Sequence, residues 1–145
     1  MQQLTLDASV LLKWFFQTPD ESDFPQALAI LNELRGGRAA LIQPPHTLLE
    51  VAAVLIRKRP ESIAADLDEV GAMLVDTTIE ASRVLPHALH LAEALDHHLS
   101  DTLYHATAMV ADATLITADR RYFDKANSRG RILLLEQYSA GVGAA

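Results

Sequence analysis

The chain has 145 residues, no cysteine and a formal net charge of -7, from 12 Lys and Arg against 19 Asp and Glu. That length suits one domain with a two- or three-layer core, and a hydrophobic share of 50% excludes a disordered chain. The missing cysteines exclude a disulfide framework and a thiolate metal site, and the acidic balance excludes binding to nucleic acid by bulk charge alone. An acidic chain still acts on phosphates if some carboxylates hold a divalent cation; otherwise its partners are basic proteins. The first apolar run is short, carries Lys13, and lacks a basic leader and a cleavage site. No run reaches the length of a membrane span. A cytoplasmic protein without membrane attachment is expected.

Leu4, Thr5 and Leu6 read as a buried strand, and Val10 to Phe16 as an apolar helix for which Ser9 suits the N-cap. Asp7 stands between them with no cationic neighbour in sequence, a costly place for a carboxylate unless something there needs it. The stretch TPDESDFP reads as a loop, and Gln26 to Arg35 as a helix stopped by Gly36 and Gly37. Ala39 to Gln43 is a short strand ended by Pro44 and Pro45. Helices follow at His46 to Lys58 and Ile63 to Leu74, then a weak strand at Thr77 to Ala81. Val84 to His97 carries an apolar stripe, and Ser100 suits the cap of a helix from Asp101 to Ala111. ATLITAD is a β-branched strand ending near Asp119, RILLLEQ is the last strand, and 139–145 is a flexible tail after a domain at 1–138.

Strands alternating with helices imply an α/β fold with a parallel sheet covered on both faces. Right-handed crossovers bring every strand's C-terminal end to one edge, where such folds bind ligands. Asp7 and Asp119 end strands at that edge. The helix with Glu50 starts just after the second strand, and Asp101 lies in the first turn of a helix that runs down from the same edge. Each acid also has a plainer reading: Asp101 complements a helix dipole, Asp119 caps a turn, and Glu50 snorkels to the surface. Together, four carboxylates in one cleft repel one another and stay ionised only if a cation binds. All-oxygen ligation suits Mg²⁺ or Mn²⁺, ions that assist hydrolysis of a phosphodiester. Asp7 is then a metal ligand.

The segments LTLDASVLLKWFF, LLEVAAVLIRK and LSDTLYHATAMVADATLITADRRYF resemble, in order and spacing, the motifs of PIN-domain ribonucleases, in particular VapC-type toxins of bacterial toxin–antitoxin pairs. The resemblance implies a three-layer α/β/α fold with a central, mostly parallel five-stranded sheet. It also implies cleavage of RNA with Mg²⁺ or Mn²⁺, a cognate antitoxin protein and a homodimer. Carried onto this chain, the catalytic and metal-binding acids are Asp7, Glu50, Asp101 and Asp119. Ser9 and Thr117 would hydrogen-bond the acids or metal waters. The chain departs from the pattern where Ser100, rather than an aromatic residue, precedes Asp101, and where His105 interrupts the apolar run one turn on.

Lys13 lies one or two turns from Asp7 and suits a role beside an acid or the scissile phosphate, or it snorkels. Arg120 and Arg121 follow Asp119 and suit RNA phosphates, whereas Arg57, Lys58 and Arg59 end a helix as dipole partners. Trp14, Phe15 and Phe16 suit the core or a dimer interface. His87 and His90, then His97 and His98, invite a zinc site, but no further ligand is spaced to complete one. His105 is one turn from Asp101 and caps or packs beside it. The function expected is a metal-dependent endoribonuclease inhibited by a basic antitoxin segment. The rival is a catalytically weak or inactive module of the same fold that serves in protein assembly, which has no need of a divalent ion.

Overall fold

The computed structural model describes residues 1–16 and 23–139, so Gln17, the first five residues of the TPDESDFP loop and all but the first residue of the tail lie outside the described residues. Four strands, β1 Gln2–Leu6, β2 Ala39–Leu41, β3 Thr114–Thr117 and β4 Ile132–Leu134, form one parallel sheet in the order β2-β1-β3-β4. The helices are α1 Ala8–Leu11, α2 Lys13–Phe16, α3 Phe24–Arg35, α4 Thr47–Lys58, α5 Ile63–Leu74, α6 Ala81–Leu95, α7 Leu99–Val110 and α8 Arg120–Ala126.

The layers follow from the alternation of side chains along each strand. Leu4 and Leu6 of β1 and Ile116 of β3 meet Val10, Ile30, Val51, Leu55 and Val70 of the helices on one face. Leu115, one residue out of phase, meets Tyr104, Ala108, Tyr122 and Ala126 on the other. Helix α6 lies on α7 through Val84, Ala88, Leu91 and Ala106. Among the described residues, no helix is long and apolar enough to cross a membrane.

Among the described residues the sheet has four strands and not the five expected. The segment at Thr77 to Ala81 contributes one bridge, with the Gln43 amide bonded to the Thr77 carbonyl and the Ile79 amide to the Gln43 carbonyl, both at 2.9 Å. Pro44 and Pro45 end that pairing, since proline has no amide proton to extend a ladder. The last strand is likewise shorter than RILLLEQ, because Leu135–Gln137 turns into a 3-10 helix.

Two expected caps are also corrected. Asp7, not Ser9, caps α1, and α7 starts at Leu99 before Ser100, with His98 at its cap. The helix at Ile63–Leu74 has the expected bounds, and α3 stops at Gly36 and Gly37, the latter at φ 71. Since β1 has β2 on one side and β3 on the other, chain connections leave it in opposite directions. The crevice beyond the ends of β1 and β3 is the topological switch point.

Candidate functional site

Asp7 follows β1 directly, and the extended backbone there turns its carboxylate back over α1. Its Oδ1 accepts the Ser9 amide at 2.9 Å and its Oδ2 accepts the Thr117 hydroxyl at 2.8 Å. Thr117, fully buried, accepts the Asp119 amide at 3.0 Å, and the Ser9 hydroxyl accepts the Ala118 amide at 3.1 Å while also bearing on Asp7. The two hydroxyl residues expected beside the acids therefore stitch the ends of β1 and β3 together. Burial pushes the Asp7 carboxyl up to about 6; its bonds to Ser9 and Thr117 pull the other way, and the charge of Asp101 adds to the rise.

Asp119 caps α8, its Oδ1 accepting the Tyr122 amide at 3.1 Å. Asp101 lies in the first turn of α7, and its Oδ2 is 2.7 Å from Nε2 of His97. One donor atom each from His97, Asp101 and Asp119 lie within 4.8 Å of one another. Glu50, in the first turn of α4, accepts the Tyr104 hydroxyl at 2.7 Å. His46 stands 3.4 Å from the same carboxylate oxygen and donates to the Ser100 carbonyl at 2.8 Å. Burial, with Glu50 adding, holds Tyr104 well above the ordinary tyrosine range, and Asp7 contributes to that rise. Glu50 is thus tied to the rim through Tyr104.

The carboxylates and the ring suit a divalent ion. Two donors each ~2.1 Å from one octahedral cation are roughly 3–4 Å apart, a spacing close to the 4.8 Å within which the His97, Asp101 and Asp119 donors lie. The upward pressure on Asp7 is what a neighbouring cation relieves.

Among the expected phosphate-binding cations, Lys13 pairs with Asp23 at 3.1 Å and Arg120 with Glu136. Arg121 lines a cavity of about 190 Å³ with Asp96, His97, His98 and Lys125.

His105 does not pack beside Asp101. It is buried, its Nε2 donating to the Gly130 carbonyl at 2.8 Å and its Nδ1 accepting the Tyr122 hydroxyl at 2.9 Å. The histidine that faces Asp101 is His97, one turn before it. Its i,i+4 spacing was a usable signal, but it belongs to the residues leading into the helix. Tyr104 and His46 also escaped sequence reasoning: Tyr104 is an apolar-face residue of α7, and His46 reaches Ser100 across 54 residues of chain.

Residues 4–128 match the family model of the PIN domain, a span that holds all four acids. Comparison with curated proteins finds no match. PIN domains are in general metal-dependent nucleases.

Proposed function

The chain belongs to the PIN domain family, and from that premise we propose that it is a divalent-metal-dependent endoribonuclease, the toxin of a toxin–antitoxin pair. The main support is the joining of Asp7, Thr117 and Asp119 at the switch point, with Asp101 close enough to raise the Asp7 carboxyl.

Asp7, Asp101 and Asp119 hold Mg²⁺ or Mn²⁺, with Glu50 as a further ligand or as the group that positions the attacking water. The ion supplies the Lewis acidity that phosphodiester hydrolysis needs. The chain supplies orientation. Thr117 fixes the Asp7 carboxylate, and Tyr104 holds one oxygen of Glu50, leaving the other to orient water and take its proton. Arg121 takes a flanking RNA phosphate; Lys13 and Arg120, each already beside an acid, act later or less.

A cognate antitoxin would place a basic segment on the acidic rim, in keeping with a net charge of -7. A homodimer would use the half-buried Trp14, Phe15 and Phe16, which line a groove of about 580 Å³ with Arg59, Asp66 and Glu69. The site of action would be the cytoplasm. An assembly module without catalysis is the second reading. It is favoured by the structural work that Asp119 already does as a helix cap.

A thermal melt in EDTA and in millimolar Mg²⁺ or Mn²⁺ tests the proposal, followed by RNA cleavage with the wild type and Asp7→Asn. Ion-dependent stabilisation and cleavage, both lost in Asp7→Asn, are expected. A folded protein that neither ion stabilises is the assembly module.

A further inference from the structure

His97 is built into the rim more firmly than a surface histidine. Asp96, at φ 47, ends α6 in a left-handed turn, and the His97 amide is bonded to the Ala92 carbonyl at 3.1 Å. The side chain is 5% exposed, and its ring stands edge-on to Tyr122 with centroids 4.8 Å apart. The ring is therefore held in place before any ligand arrives. Its Nε2 is 2.7 Å from Asp101 Oδ2, and one of its ring nitrogens lies within 4.8 Å of a donor atom of Asp119.

That nitrogen changes the chemistry of the site. A set of carboxylates alone is hard oxygen and suits Mg²⁺, which dehydrates reluctantly and demands near-ideal octahedral geometry. Imidazole is a softer donor that first-row transition ions accept far better than Mg²⁺ does. We infer that His97 is a ligand of the bound ion, and that the centre takes a first-row transition-metal dication, with Mn²⁺ as the test case, in preference to Mg²⁺. This rests on the proposed metal-dependent nuclease.

The competing role for His97 is positional: it holds Asp101 and touches no ion. The two roles part on selectivity. Loss of a support for Asp101 weakens every ion alike, whereas loss of a nitrogen ligand weakens the transition ion selectively. His97→Gln keeps an amide that can donate to Asp101 but has no ring nitrogen.

The experiment is calorimetric titration of the full chain, freed of metal, with Mn²⁺ and with Mg²⁺, for the wild type and His97→Gln. Pulsed electron paramagnetic resonance of the Mn²⁺-loaded wild type reads directly coordinated nitrogen and needs no variant. The expected results are a ¹⁴N coupling in the wild type, Mn²⁺ affinity about ten- to a hundred-fold lower in His97→Gln, and Mg²⁺ affinity within about twofold. A melt of the metal-free variant shows that it is folded. Equal losses for both ions, or Mn²⁺ bound without a nitrogen coupling, overturn the ligand role and leave the metal-dependent nuclease standing. A folded wild type that binds neither ion overturns both.

Discussion

Thr117 donates its hydroxyl proton to Asp7 across 2.8 Å, a bond that spans 110 residues of sequence and joins the ends of two adjacent strands. The same oxygen accepts the Asp119 amide at 3.0 Å, so one buried hydroxyl sets the distance between two acids. Thr117→Val keeps the shape and removes both bonds. A loss of about 1–3 kcal/mol is expected from the unpaired Asp119 amide and the poorer Asp7 environment, read as a lower urea midpoint. Thr117→Ser restores most of it. A valine variant as stable as the wild type would show that the hydroxyl does not organise the acids.

The charge on Asp7 costs stability in the metal-free protein. Its folded value, about 6, lies above the ordinary 3.8. Between these values the folded state binds more protons than the unfolded state, so the contribution is fully present below pH ~4 and is lost as pH rises through ~6. Asp7→Asn in EDTA at pH 7.5 is expected to be more stable by on the order of 2 kcal/mol, which raises the melting point by several degrees. In excess Mn²⁺ the order reverses, because only the wild type is stabilised by the ion. A variant that melts lower in EDTA across pH 5 to 8 would assign Asp7 to the scaffold alone.

The acids could be read from the chain because a carboxylate between apolar runs carries its own anomaly. Asp7 and Asp119 stand where strands end, and strand ends in a parallel fold share an edge. The ring of His97 carried no such mark. Its role depends on where Asp96 turns the chain and on Tyr122, 25 positions away, against which the ring stands edge-on. The expected strand at Thr77 to Ala81 fails for a similar reason. Its own residues suit a strand, but its partner runs out at Pro44 and Pro45, and no local pattern reports on a partner. His105 lay on the correct helix and was turned toward the wrong neighbour, since i+4 and i-4 look alike until the helix is seated.

His105 gives a pH dependence of the opposite sign. Burial lowers its basicity despite the opposing bond to the Gly130 carbonyl, and the charge of Arg129 adds to the lowering. The unfolded chain then binds more protons just below pH 6.5, so stability contributed by the neutral ring is present above that pH and is lost as pH falls. In Asp7→Asn, where the Asp7 carboxyl no longer titrates, urea midpoints are expected to fall steadily from pH 7 to pH 5. Proton NMR of the His105 ring is expected to show it still neutral below the ordinary histidine value of about 6.5. A His105 that protonates at the ordinary histidine value would mean that its burial and its bonds to Tyr122 and Gly130 do not hold it neutral.

Gln43 makes a ladder rung from a side chain. Buried and beyond the end of β2, its Oε1 accepts the Leu6 amide at 2.6 Å and its Nε2 donates to the Leu6 carbonyl at 2.8 Å. It thereby extends the sheet to the residue before Asp7, and a third bond to Thr47 at 3.1 Å seats the start of α4. Gln43→Leu strips these partners from the Leu6 backbone within the core. A destabilisation of about 2–4 kcal/mol is expected, together with weaker ion binding, because Gln43 joins β1, which Asp7 directly follows, to α4, which carries Glu50. Unchanged ion affinity in a destabilised variant would confine Gln43 to folding.

Arg120 and Arg121 are neighbours in sequence with different surroundings. Arg120 reaches Glu136, so any phosphate must compete with a carboxylate already in place. Arg121 lines the cavity that also holds His97, His98 and Lys125, beside the acids. With uncleavable substrate, or with Asp7→Asn to block cleavage, single-stranded RNA affinity is expected to fall about tenfold in Arg121→Ala, roughly 1.4 kcal/mol, and within about twofold in Arg120→Ala. The slope of log affinity against log salt should drop by about one contact for Arg121 and little for Arg120. Equal and small effects from both would mean that RNA is held elsewhere on the rim, and equal large effects would mean that the Glu136 pair opens on binding. Only an unequal result, with Arg121 dominant, ties the cavity at His97 to the path of the substrate.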